Sequence, residues 1–64
     1  MDAMHTQLNA EQLNAVTLLK RMLPFRVVGA ALHPETGEFR TYARSTRSGL
    51  DRLARKGWLV WIAE

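Results

Sequence analysis

Arg40, Arg44, Arg47, Arg52, Arg55 and Lys56 crowd into residues 39–64, where only Asp51 and Glu64 oppose them, a local balance of +4 against −1 for residues 1–38. A guanidinium fork matches phosphate oxygens in pairs and stacks flat on a base, so arginine rather than lysine in such a cluster points toward nucleic acid. Tyr42 stands between Arg40 and Arg44 at strand spacing and would set a π-face among cations, the combination that holds single strands. Arg40, Tyr42, Arg44, Arg47, Arg52 and Arg55 are therefore the expected nucleic-acid-binding residues. The plainer account of the same residues is a solvated face, with Asp51 and Arg55 forming an i,i+4 helix pair worth about 0.3 kcal/mol.

The second concentration of chemistry is apolar. Trp58 and Trp61 fall among the last seven residues, and alternation sends one inward and the other outward. With Trp58 in the core, Trp61 would project beside Leu59 as an interface anchor. That defines a rival function: a protein-binding accessory or inhibitor module of the kind found on mobile elements, docking through Trp61, Leu59 and the final strand.

Other site chemistries find no support in the residue types. The chain has no cysteine, which removes thiolate metal sites, thiol nucleophiles and disulfides. His5 and His33 have no second ligand at metal spacing, and Ser45 and Ser48 have no base at a spacing that would activate them. Gly29 and Gly37 belong to a strand and a turn, not to a phosphate loop. A non-catalytic protein with no cofactor and no metal is expected.

The elements that must position these residues can be read in order. Residues 1–8 form an aperiodic leader, expected to be flexible, ahead of a single domain over 9–64. Asn9 and Gln12 have the spacing of a capping box, with Leu8 and Leu13 as its hydrophobic staple. Leu13, Val16, Leu19, Met22 and Leu23 continue at helical spacing until Pro24, which predicts a helix over 10–23. Residues 25–32 and 38–44 read as the two strands of a hairpin, turned at His33-Pro34-Glu35-Thr36-Gly37. Phe39, Thr41 and Ala43 then face one side, and Arg40, Tyr42 and Arg44 the open side, with Trp61 beside them. Ser48 and Asp51 suggest a second capping box opening a helix that Gly57 closes, and 58–62 is a last strand.

The expected fold is α+β, in the order α-β-β-α-β, with a three-stranded, mainly antiparallel sheet and two helices on one face; the connection rules allow the last strand beside either hairpin strand, and of the two the order 2-1-3 is expected. A winged helix would need a further helix before the second and a wing strand after the third. The last strand is apolar on both sides, and in a sheet covered on one face a homodimer would be the means of covering it. The longest apolar run is Trp58-Leu59-Val60-Trp61-Ile62-Ala63, far short of the roughly 20 residues of a membrane span. A polar N-terminus without a signal-peptide pattern gives a cytoplasmic expectation.

Overall fold

A computed structural model describes residues 8–63, with α1 (Ala10–Met22), β1 (Val27–Leu32), β2 (Phe39–Arg44), α2 (Ser48–Arg55) and β3 (Leu59–Ala63). The fold is α+β, and the three strands lie in the order β2-β1-β3, antiparallel throughout. Among the described residues no helix is long and apolar enough to cross a membrane. His5 and the expected leader lie outside the described residues except for Leu8, which packs against the core.

α1 begins as its sequence dictates. Asn9 Oδ1 accepts from the Gln12 amide at 2.8 Å and Gln12 Oε1 accepts from the Asn9 amide at 3.1 Å, so both halves of the box form. Pro24 disfavours helical geometry at Leu23, which becomes the C-cap, and the helix closes one residue earlier than expected. The first strand likewise starts at Val27, leaving Phe25 fully exposed in the preceding turn.

Burial along β1 is unbroken from Val28 to Ala31. Side chains alternate between the faces of a strand, so four consecutive buried residues require cover on both sides. Val28 and Ala30 meet Val16 of α1 in a cluster flanked by Leu19, Leu23, Phe39, Ala43, Trp61 and Ala63. On the other face Leu50 of α2, 1% exposed, stands over Gly29. The helices therefore cover opposite faces of the sheet, which corrects the expectation that they share one. The physical reason is in β1 itself: Gly29 and Ala31 offer α2 a flat, apolar seat that a one-sided arrangement would leave in water.

The same arrangement accounts for β3. Trp61 and Ala63 pack toward α1, while α2 also contacts the strand, so an edge strand can be apolar on both sides without a second chain. The homodimer expected on that ground loses this particular support.

The connections are fixed by local chemistry. Gly37, at φ 78°, takes the left-handed position of the hairpin turn. His33 Nδ1 accepts from the Glu35 and Thr36 amides, each at 3.2 Å, so this histidine organises the turn rather than resting in solvent. Its ring also meets the Trp58 ring edge-on, with centroids 5.0 Å apart. Gly57, at φ 98°, ends α2 as expected.

Candidate nucleic-acid interface

The register pairs Val27, Gly29 and Ala31 with Arg44, Tyr42 and Arg40, which puts those three β2 side chains on the α2 side of the sheet. α2 covers this face over β1 and β3 and leaves Arg40 and Arg44 exposed beside it. Gly49, Arg52, Leu53 and Lys56 recur at three-and-four spacing along α2 and turn one flank of that helix toward β2. Between them lies a groove of about 570 Å³, lined by Arg40, Arg44, Arg52 and Lys56, by Tyr42, and by the hydroxyl residues Ser45, Thr46 and Ser48. No carboxylate is among the lining residues.

Each cation is held differently. Arg40 lies over the Trp58 ring, its guanidinium carbon 4.7 Å from the centroid, and its Nε donates to Glu38 at 2.9 Å. Arg44 stands 5.8 Å from the Tyr42 ring centroid and donates to the Ala43 carbonyl at 2.8 Å. Neither Arg52 nor Lys56 is paired with a carboxylate among the described residues. Trp58, and not Trp61, is thus the indole beside the basic face, because Trp61 pairs with Ala30 and shares its side of the sheet.

Tyr42 is a clamp. Its hydroxyl donates to the Thr46 carbonyl at 2.7 Å and accepts from the Gly49 amide at 3.1 Å, tying β2 to the first turn of α2. That takes the place of the capping box expected at Ser48 and Asp51. Arg47 is the N-cap, with no side-chain capping bond, and Ser48 Oγ instead meets Thr46 Oγ1 at 3.0 Å.

Of the six expected residues, Arg40, Tyr42, Arg44 and Arg52 line the groove, whereas Arg47 and Arg55 do not. Arg47 bonds Asp51 at 3.3 Å, so the expected Asp51–Arg55 pair is replaced by one running the other way along α2. Lys56, counted in the basic cluster but left out of the expected binding set, also lines the groove, as its place four residues after Arg52 puts it on the same flank.

The residues expected at a protein interface occupy the opposite side. Trp61 is half-buried against the α1 core, and Leu59 is 42% exposed at the start of β3. A second groove of about 430 Å³ runs between α1 and β3, lined by Leu8, Leu13, Val16, Trp61 and Ile62 and edged by Lys20 and Arg21. Among the described residues no cluster of His, Cys, Asp or Glu could hold a metal. Comparison with known proteins finds no matching family model, no matching curated protein and no matching solved structure.

Proposed function

We propose that this is a non-catalytic, cytoplasmic nucleic-acid-binding protein that holds the phosphodiester backbone in the groove between β2 and α2. The observation that carries the reading is the convergence of Arg40, Arg44, Arg52 and Lys56, from two separate elements, on a groove with no carboxylate in its lining. Cations fixed on a strand and a helix keep their spacing, whereas the same charges on a loop would lose entropy on binding.

The aromatic residues refine the mode. Tyr42 has both hydrogen-bonding functions of its hydroxyl occupied and Gly49 against its ring edge, and Trp58 carries Arg40 and His33. Base stacking is therefore a minor term, and backbone charge the major one. Low sequence selectivity and a steep dependence on salt follow.

The test is fluorescence anisotropy of one labelled sequence, as single strand and as duplex, over a salt series. Four groove cations predict a slope of log K against log salt of about −3.6 on duplex and about −2.8 on single strand. Arg44→Ala with Arg52→Ala should reduce the slope by nearly half and abolish binding near physiological salt. Binding insensitive to salt, or none at low salt, rejects the reading.

A second reading, protein docking at β3, is favoured by the exposed Leu59 and the apolar groove beside Trp61. Because Trp61 serves the core, Leu59→Glu is the cleaner variant: it should remove capture of a protein partner while leaving nucleic-acid affinity unchanged.

A further inference from the structure

β3 is an edge strand whose outer side has no partner among the described residues. It pairs with β1 alone, and no other backbone hydrogen bond reaches Leu59–Ala63. Such an edge presents a row of unpaired N–H and C=O groups, which proteins normally guard with charge, proline or a bulge. β2, at the other edge of the sheet, carries Arg40 and Arg44. β3 reads Leu59-Val60-Trp61-Ile62-Ala63 and has no such guard.

The apolar groove between α1 and β3 follows that unguarded side. Trp61 and Ile62 are neighbours on a strand and point to opposite faces, yet both line it, and no residue of β1 does. A groove that meets both residues and misses the strand behind them lies along the outer side of β3, where the unpaired backbone groups are. Another extended chain satisfies those groups, and its alternate side chains then enter the groove.

The charges define what that chain carries. Lys20 and Arg21 line the groove, and among the described residues no carboxylate lines it or pairs with either of them. Lys20 Nζ donates to the carbonyl of Arg26, the residue before β1, and Val28 of β1 pairs with Ala63, so the cationic end is the Ala63 end. Antiparallel addition, the pairing used throughout this sheet, brings the N-terminal end of the added strand there. A second copy of the chain added in this way would set its Leu59 at that end with Lys56 close behind, a further cation beside Lys20 and Arg21. A segment that opens with acidic residues is drawn in instead.

We infer that β3 receives an extended acidic peptide as a fourth strand, with its acidic N-terminal end against Lys20 and Arg21 and alternate apolar side chains in the groove beside Leu13 and Trp61. This gives docking at β3 its mode and its class of partner, and it rests on that second reading. It leaves the basic groove free, because α1 and α2 cover opposite faces of the sheet.

The test titrates the full chain with the blocked peptide acetyl-Asp-Asp-Val-Thr-Val-Thr-Val-amide and follows amide hydrogen exchange by nuclear magnetic resonance. The expected dissociation constant lies below about 1 mM, and β3 amides that exchange freely in the chain alone become protected. N-methylation of one alternate set of peptide amides should abolish binding, and of the other set should spare it. Arg21 is exposed, so Arg21→Glu keeps the fold; it should weaken the peptide about tenfold and leave an analogue with Ser in place of both Asp unchanged. No binding at about 1 mM overturns the proposal, as does equal loss from both N-methylated sets. A peptide released by Leu59→Glu that leaves the β3 amides unprotected keeps docking at β3 and rejects strand addition. Protection of β3 in the chain alone, together with twice the chain mass in sedimentation, assigns the edge to a second copy and also overturns it.

Discussion

The Tyr42 hydroxyl bridges the Thr46 carbonyl and the Gly49 amide at 2.7 and 3.1 Å, and Gly49 has no Cβ because one would stand 2.7 Å from Tyr42 Cε1. The two residues are a matched pair, the ring lying where a side chain on α2 would otherwise be. Tyr42→Phe keeps the ring and removes both bonds, leaving the Gly49 amide short of its partner. It should cost about 1–2 kcal/mol in urea unfolding. Gly49→Ala should cost at least as much, since ring and helix must separate to admit the methyl group.

Of the four glycines, Gly29 is the one most closely approached by its neighbours. A Cβ there would fall on the Trp61 carbonyl oxygen and stand 2.9 Å from Leu50 Cδ1, so β3 and α2 both close on this one position. Gly29→Ala should therefore destabilise by about 3 kcal/mol or more, enough to leave so small a domain largely unfolded at 25 °C. Far-ultraviolet circular dichroism checks this directly.

Leu50 fills the seat that Gly29 opens, and at 1% exposure it is among the most deeply buried side chains of the protein. Leu50→Ala should cost about 2–5 kcal/mol by chemical denaturation. The loss should also loosen the α2 side of the groove, so that nucleic-acid affinity falls although no charge has changed.

Two capping boxes can be read in the sequence and only one forms, which gives a paired test. Asn9→Ala should lower stability by about 1 kcal/mol, because the Gln12 amide loses its acceptor. Ser48→Ala should change it by less than about 0.5 kcal/mol, since Ser48 caps nothing and the Gly49 amide is served by Tyr42. Equal losses in thermal melts of the two variants would contradict this.

Those boxes also show what was legible beforehand. Asn9 and Gln12 act within four consecutive residues, so local spacing sufficed. The end of the chain segment leading into α2 is decided by Tyr42, seven positions before Gly49 and on another element, which no local pattern reveals. The connection rules admitted β3 beside either hairpin strand, so the observed order β2-β1-β3, the one expected, was one of two they allowed. The placement of the helices had its signal in Val27-Val28-Gly29-Ala30-Ala31-Leu32, an apolar run without alternation and the mark of a strand covered on both sides. Taking the helices to share one face passed over that run, and put Trp61 rather than Trp58 beside the arginines. The basic cluster was visible as composition, but its division was not: which guanidinium groups face β2 depends on the rotation of α2, set by Leu50 against Gly29.

That division yields the most discriminating prediction for the groove. Arg52 and Lys56 lie on the α2 flank that lines it, while Arg47, ion-paired with Asp51, and Arg55 do not. Arg52→Ala with Lys56→Ala and Arg47→Ala with Arg55→Ala each remove two positive charges, so a diffuse electrostatic attraction would respond alike to both. Contact in the groove would not. Removing Arg52 and Lys56 should reduce the salt slope by about 2 and weaken binding at least tenfold at moderate salt. Removing Arg47 and Arg55 should change the slope by less than about 1, because those groups reach no phosphate held there. Two double variants of equal salt slope would mean that net charge, not this groove, draws the ligand.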